Sequence, residues 1–184
     1  MKTKKLFPLF FCMMSMVLLL SSCDKIEKGS ITERKSIKIE VETVVKENIA
    51  TYAVLRAGEV NTFSGTANVK LSEINELSGF DLSALTSVTV RNVVIGTSCT
   101  EPGDFYVENI NLQTTGASAS VNRVVIGESV SNNSGVNEFA QTLLTNLISG
   151  STVPISISGT TNVNPVGKII VYVLDIDASW TTAL

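Results

Sequence analysis

The feature that most limits how this chain can fold is a strict two-residue alternation, longest near the C-terminus. Over 168–180, Ile170, Tyr172, Leu174, Ile176 and Ala178 fall on one side and Ile169, Val171, Val173, Asp175 and Asp177 on the other. Over 36–45, Ile37, Ile39, Val41, Thr43 and Val45 oppose Ser36, Lys38, Glu40, Glu42 and Val44, so only Val44 interrupts the polar side. Side chains alternate faces along a strand but not along a helix. Both segments are therefore expected as strands with one face in a core. The wider chain agrees. Val, Ile, Thr, Ser and Asn are plentiful, while charged residues make up 17% and aromatics 6%, a balance that favours strands and turns.

Further extended stretches are expected at 60–71, with Gly65 marking a bulge, and at 87–95, 105–112, 121–130 and 153–159. The stretch 46–56 fits a helical stripe and a strand equally. Between these lie turn signals: Ser72 capping a short helical start that Gly79 ends, a turn at 81–85, a loop at 96–104 carrying Cys99 and Pro102-Gly103, and a connection at 160–167 with Asn164-Pro165. The last two strands, 153–159 and 168–180, are expected to form a hairpin. Arg91-Asn92-Val93-Val94-Ile95-Gly96 and Asn122-Arg123-Val124-Val125-Ile126-Gly127 are near-copies, but the likeness ends quickly on both sides. They read as two strands meeting the same packing need rather than as a duplicated unit.

One helix is expected, at 136–148. Val136, Phe139, Ala140, Leu143, Leu144, Leu147 and Ile148 form one continuous apolar face. Asn133 or Ser134 can cap its start, and Gly150 suits a left-handed stop. Its polar face carries Asn137, Glu138, Gln141, Thr142, Thr145 and Asn146 instead of the Lys and Arg of a membrane-surface helix, so it is expected to pack on the sheet or over an end.

The N-terminus has a separate logic. Lys2, Lys4 and Lys5 precede an apolar run over 6–20, and Leu20-Ser21-Ser22-Cys23 closes it. Positive residues, a short apolar stretch and small residues make a secretory signal. The run is short for a spanning helix, which needs about 20 apolar residues. With Cys23 directly after Leu-Ser-Ser, the segment resembles the lipobox of bacterial lipoproteins. That resemblance implies cleavage after residue 22, acylation of Cys23 and a membrane anchor through lipid. The expected organisation is a signal peptide at 1–22, a lipidated tether at 23–35, with pairing of its end onto the sheet as the alternative, and one domain at 36–184. Asp24 after the cysteine resembles an inner-membrane retention signal of some Gram-negative lineages. Asp24-Lys25-Ile26-Glu27-Lys28 resembles the surface-export signals of others. An outer-membrane lipoprotein, facing the periplasm or the cell surface, is the expectation.

Cleavage removes three of the 14 basic residues and none of the 17 acidic ones, leaving 11 against 17 and a net charge of −6. No basic patch is left to follow phosphates, so a nucleic-acid partner is not expected. The chain has no histidine, which excludes Ser-His-Asp and Cys-His nucleophilic sites and His-ligated zinc. With Cys12 cleaved away and Cys23 acylated, Cys99 has no disulfide partner and is expected to be buried and inert. No Gly-rich phosphate loop follows a strand and opens a helix.

Three groupings deserve weighing for chemistry. Asp175 and Asp177 share a strand face, which suits a calcium pair or a glycosidase carboxylate pair but equally a solvated strand end. The solvated end is the simpler account. Glu101 and Asp104, near Cys99, make a weaker calcium pair. Trp180, with Tyr172 and Tyr106, would suit stacking on a sugar, although a lone Trp is usually a hydrophobic plug. No cofactor and no metal are expected.

The predicted fold class is mostly β: a two-sheet β-sandwich of about eight strands with one amphipathic helix near 136–148. The order helix, strand, Asn-Pro connection and long strand over 136–178 resembles the immunoglobulin-like sandwich of late-embryogenesis-abundant-type domains, and no functional residue carries over. The functional expectation is a non-enzymatic envelope lipoprotein with a protein or glycan partner, in a binding or structural role. Carriage of an apolar or glycan ligand and a carboxylate-dependent hydrolase are the alternatives.

Overall fold

A computed structural model describes residues 29–46, 60–99, 104–131, 133–150, 152–163 and 166–183. The signal peptide, Cys23, the segment 24–28, the stretch 47–59, Glu101, Pro102-Gly103 and Asn164-Pro165 lie outside the described residues. Among the described residues there are eight strands: β1 (Ser30–Lys46), β2 (Asn61–Val69), β3 (Leu85–Cys99), β4 (Tyr106–Thr114), β5 (Ala117–Val125), β6 (Ser129–Ser131), β7 (Val153–Thr161) and β8 (Ile169–Ala183). An α-helix, α1 (Ser134–Ile148), joins β6 to β7 and is the one α-helix among the described residues.

All eight strands belong to one antiparallel, nearly closed, barrel-like sheet in the order β5-β4-β7-β2-β1-β8-β3-β6. The expected split into two separate sheets is not found, because β1 joins the two halves. It pairs with β8 from Ser30 to Val44 and also with β2, but with β2 at only three positions, Val44, Val45 and Lys46. The hairpin expected from the last two strands is also absent. β7 lies between β2 and β4, and β8 lies between β1 and β3. Local turn signals identify a connection, but the buried faces available on each side decide which neighbours a strand takes. Residues 30–35, expected within the tether, are part of β1 and pair with β8, which was the alternative for that segment.

The two long alternations fold as read. Ile37, Ile39, Val41, Thr43 and Val45 of β1 and Ile170, Tyr172, Leu174, Ile176 and Ala178 of β8 are buried, and their neighbours along the strands are not. Elsewhere the alternation changes phase. In β4, Val107, Ile110 and Leu112 are all buried. The three-residue step is absorbed at Asn109, which has φ 52° and sits where the β4–β7 register breaks. Asn tolerates that left-handed conformation better than most residues. Register irregularities between Leu85 and Ser87 and between Val90 and Asn92 do the same for β3, so that Leu85, Val88, Val93 and Ile95 all face inward. β3 runs on through Cys99, which therefore ends a strand rather than lying in a loop. The single strand expected at 121–130 is interrupted at Ile126 and Gly127, the latter at φ 95°, and resumes as β6. Ser72 caps nothing: short 3-10 turns at Leu71–Glu73 and Asn75–Leu77 take the place of the expected helical start.

α1 occupies the gap between β3 and β5, where the sheet does not close on itself. Its start is capped by Asn133, whose side-chain oxygen accepts from Gly135 N and Val136 N. Val136, Phe139, Ala140, Leu143, Leu144 and Leu147 are buried in the core. Amide side chains then meet both strand edges. Gln141 donates to Val88 O at 2.9 Å and accepts from Val90 N at 2.8 Å, which is the pair of bonds a neighbouring strand would make. On the other side Asn133 donates to Ser120 O at 3.2 Å and Asn146 to Thr115 O at 2.8 Å. The helix thus substitutes for a missing strand in the ladder. Gln141→Met keeps the length and apolar stem of the side chain but leaves two half-buried backbone groups unpaired. It is expected to cost about 2 kcal/mol, read as a lowered urea midpoint. An unchanged midpoint would mean that water replaces the amide without loss.

Candidate functional site

Asp175 and Asp177 project together from the outer face of β8, as their spacing requires. The β1–β8 register places Asp177 opposite Ser36 and beside Arg34, and Asp175 opposite Lys38. Arg34 Nε donates to Asp177 Oδ1 at 2.9 Å and to Oδ2 at 3.1 Å, and its Nη2 also donates to Oδ2. Arg91 adds positive charge from β3, where its Nε donates to Ser179 Oγ at 2.9 Å. The Arg34 hydrogen bonds hold the Asp177 carboxyl below the usual carboxylate range against the opposing effect of its partial desolvation, and the charges of Arg34 and Arg91 help. Among the described residues, no group of three or more Asp, Glu or Cys side chains gathers as a metal site. The pair is a carboxylate kept ionised by arginine beside a second, separate carboxylate. A general acid needs the reverse, a carboxyl held protonated.

The lowered Asp177 value carries a sign. A depressed folded-state pKa contributes stability above the unfolded value of about 3.9, and that contribution disappears as pH falls through the folded value. Stability is therefore expected to fall on acidification below about pH 4. In Asp177→Asn the fall should be shallower but still present, because Asp81, held low by hydrogen bonds from Ser83, remains. Urea midpoints measured across that pH range check this. Parallel curves for the two proteins would rule the Arg34–Asp177 contribution out.

The three aromatic residues do not form a common platform. Trp180 is fully buried and its Nε1 donates to Lys35 O at 3.2 Å. Tyr172 is also fully buried, with its ring stacked on Phe63 at 5.4 Å between centroids. Burial pushes the Tyr172 phenol up, and its hydroxyl has no hydrogen-bond partner among the described residues. Tyr106, on β4 in the other half of the sheet, is covered by the Arg123 guanidinium at 3.9 Å, and Arg123 also pairs with Glu108 at 3.2 Å.

Among the described residues, two open depressions stand out on the surface. One, of about 370 Å³, lies at the end of the β1–β8 ribbon nearest the N-terminus, between Glu33, Lys35 and Thr182 on the strands and Phe80 and Asp81 on the turns. Lys35 Nζ sits 4.8 Å from the centre of the Phe80 ring. The other, of about 430 Å³, lies between Asn122 and Arg123 of β5 and Val130 and Ser131 of β6, beside the start of α1. Sequence reading missed both: the first gathers residues from segments far apart in the chain, and the second, lined between Val121 and Ser134, forms only because the chain turns back between β5 and β6. Cys99 is half-buried and unpaired. Asp104 is described, but its expected calcium partner Glu101 and the lipidation candidate Cys23 lie outside the described residues.

The outward positions of β1, which include Arg34, Lys38, Glu40 and Glu42, are exposed, and the interior is apolar. On β1 that is the reverse of a lipid-facing barrel strand, whose outer band is apolar, whereas β8 presents Ile169, Val171 and Val173 outward beside Asp175 and Asp177. Among the described residues no helix is long and apolar enough to cross a membrane. Comparison of the chain with protein-family models gives no match, and comparison with curated proteins gives none.

Proposed function

We propose that this chain is a lipid-anchored, non-enzymatic protein of the bacterial cell envelope. Cys23 carries the lipid, and the β domain serves a binding or structural role at the outer membrane. The observation that carries this reading is the order of Lys2, Lys4 and Lys5, the apolar run and Leu20-Ser21-Ser22-Cys23. A single acyl chain binds a membrane only marginally, whereas several together hold it firmly at about 0.8 kcal/mol per buried CH₂. With β1 beginning at Ser30, only a short segment separates the proposed lipid from the folded sheet. The two halves of that sheet, β5-β4-β7-β2 and β1-β8-β3-β6, meet at the short β1–β2 pairing, and we read them as the facing layers of a sandwich.

A binding role fits the surface better than catalysis does. Asp177 is committed to Arg34, and Asp175 projects on the same outer face without a converging third acid among the described residues. Carriage of an apolar ligand in the interior is less favoured, because Trp180, Tyr172, Phe63 and Phe139 already fill it.

The test combines fatty-acid labelling with protease treatment of intact cells. The wild-type protein should take up label and stay with the membrane fraction, and Cys23→Ala should lose both. Membrane retention of Cys23→Ala with no label on the wild type would overturn the anchor. Loss of the domain from intact cells while a periplasmic control survives would place it on the surface. Digestion only after the outer membrane is opened would place it in the periplasm.

A further inference from the structure

The two halves of the sheet present different chemistries to solvent. On β1 the outward residues include the charged Arg34, Lys38, Glu40 and Glu42. The outer face of β5-β4-β7-β2 is instead built from short, uncharged polar side chains, which the strand registers set in rows. Ser118 of β5, Gln113 of β4, Ser156 of β7 and Thr66 of β2 lie side by side. Ser120, Asn111, Ser158 and Ser64 form the next row. Their strand neighbours Ala119, Leu112 and Ile157 are buried, which fixes the rows on the outside. Four strands spaced at about 4.8 Å make this face about 14 Å wide. Charge stays at its rim. Arg123 pairs with Glu108 at the β5–β4 corner, and Lys46 of β1 donates to Ser64 Oγ at 3.0 Å beyond β2.

Much of this polarity is unspent. Ser120 and Asn111 bond each other at 3.0 Å. The side chains of Gln113, Ser118, Ser156, Ser158 and Thr66 have no hydrogen-bond partner among the described residues. The chemistry of the rows selects among partners. A protein interface is anchored by aromatic and apolar side chains, and the rows hold none. An acidic polymer needs free cations, but Arg123 is held by Glu108 and lies over the Tyr106 ring. A membrane surface needs an apolar face flanked by basic residues. What fits is a neutral ligand dense in hydroxyls, because hydroxyls and amides both donate and accept. Short side chains also lose little rotamer freedom on binding. No aromatic ring stands within the rows to stack on one sugar, so a polymer that repeats its contacts suits them better than a monosaccharide.

We propose that this face binds a neutral polysaccharide. The polymer lies across β5, β4, β7 and β2, and its hydroxyls bond to Gln113, Asn111, Ser156 and Ser158. The inference rests on the binding role proposed above and gives that role a partner. It does not depend on the lipid at Cys23.

The test uses the full-length protein in a neutral detergent, applied to surfaces coated with amylopectin, mixed-linkage β-glucan, galactomannan or the acidic polymer alginate. The wild type should bind at least one of the three neutral polymers equally at low and high salt, and should not bind alginate. Ser158→Glu sets a carboxylate among the rows, where a neutral ligand cannot pair it, and should weaken binding about tenfold. Gln113→Ala removes one hydrogen bond and should weaken it about fivefold. Ser158→Thr keeps the hydroxyl and should bind as the wild type does, and so should Glu40→Gln on the outer face of β1. Far-UV circular dichroism of each variant confirms the fold. No binding to any of the three neutral polymers, binding to alginate alone, or Ser158→Glu binding as well as Glu40→Gln would each overturn the proposal. A wild-type chain that binds a neutral polymer in this way but carries no acyl label would uphold it and overturn the anchor alone.

Discussion

Trp180→Ala should cost about 3–5 kcal/mol, the range for removing a large aromatic side chain from a packed interior. Trp180 is the largest fully buried side chain in the fold, and it sits on β8 opposite Val88 of β3 and Glu33 of β1. Truncation would leave a void between those strands and also free Lys35 O, which accepts from the indole at 3.2 Å. Total stability of a domain this size is typically about 5–15 kcal/mol, so the variant would be marginal or unfolded. Trp180→Phe retains most of the ring and loses the hydrogen bond, and should cost about 1–2 kcal/mol. Urea unfolding followed by far-UV circular dichroism measures both. A small loss in the alanine variant would show that the β1–β8–β3 end collapses freely into the space. That would contradict the role of Trp180 as a plug.

Gly65→Ala is the second large effect, and it acts through the backbone. A Cβ at Gly65 would stand 1.9 Å from Glu42 O and 2.8 Å from Thr43 Cα, well inside contact distance. Neither atom belongs to a side chain that can turn away, so β1 and β2 would have to separate where they are joined by only three residue pairs. A loss of about 3 kcal/mol or more is expected, at the upper end for overpacking. Gly159 is a lesser case: its added Cβ would meet Phe63 Cζ at 2.6 Å and Glu108 O at 2.7 Å. Gly96→Ala is the control, because the nearest atom there is Val173 O at 4.0 Å. With room available, an alanine can even stabilise, by about 0.4–1 kcal/mol through the unfolded state. Equal midpoints for Gly65→Ala and Gly96→Ala would show that the β1–β2 corner is not tight.

Both sites belong to the way one sheet curls into a nearly closed form. Gly65 and Gly159 lie on β2 and β7, with Phe63 opposite Gly159 and the Asn109 irregularity on the adjoining β4. Small residues, a left-handed Asn and an aromatic ring crossing a glycine let the strands approach and bend. Gly65 was legible as a special position, although not as the expected bulge: β2 keeps unbroken register with β7 through it, and the glycine answers the close approach of Glu42 O. Gly159 was not, since its reason is the Phe63 ring from another strand.

By itself the sequence determined the faces of β1 and β8, the single helix with its buried stripe and caps, and the predominance of strand. Those properties depend on residues a few positions apart, whose periodicity and capping chemistry act before any long-range contact forms. It also placed Trp180 as a core residue. Tertiary structure alone decided that the strands join one ladder, that β7 and β8 take different neighbours and that Gln141 completes the edge of β3. It alone set Arg34 on Asp177 and confined the β1–β2 pairing to Val44, Val45 and Lys46. The Arg34, Gln141 and β2–β7 contacts join residues more than 50 positions apart in the chain, and even the nearer β1–β2 corner joins residues 16 to 20 apart. Hydrogen bonding in a sheet specifies that an edge must be met but not by which segment, so strand order follows from how all the buried faces fit together at once.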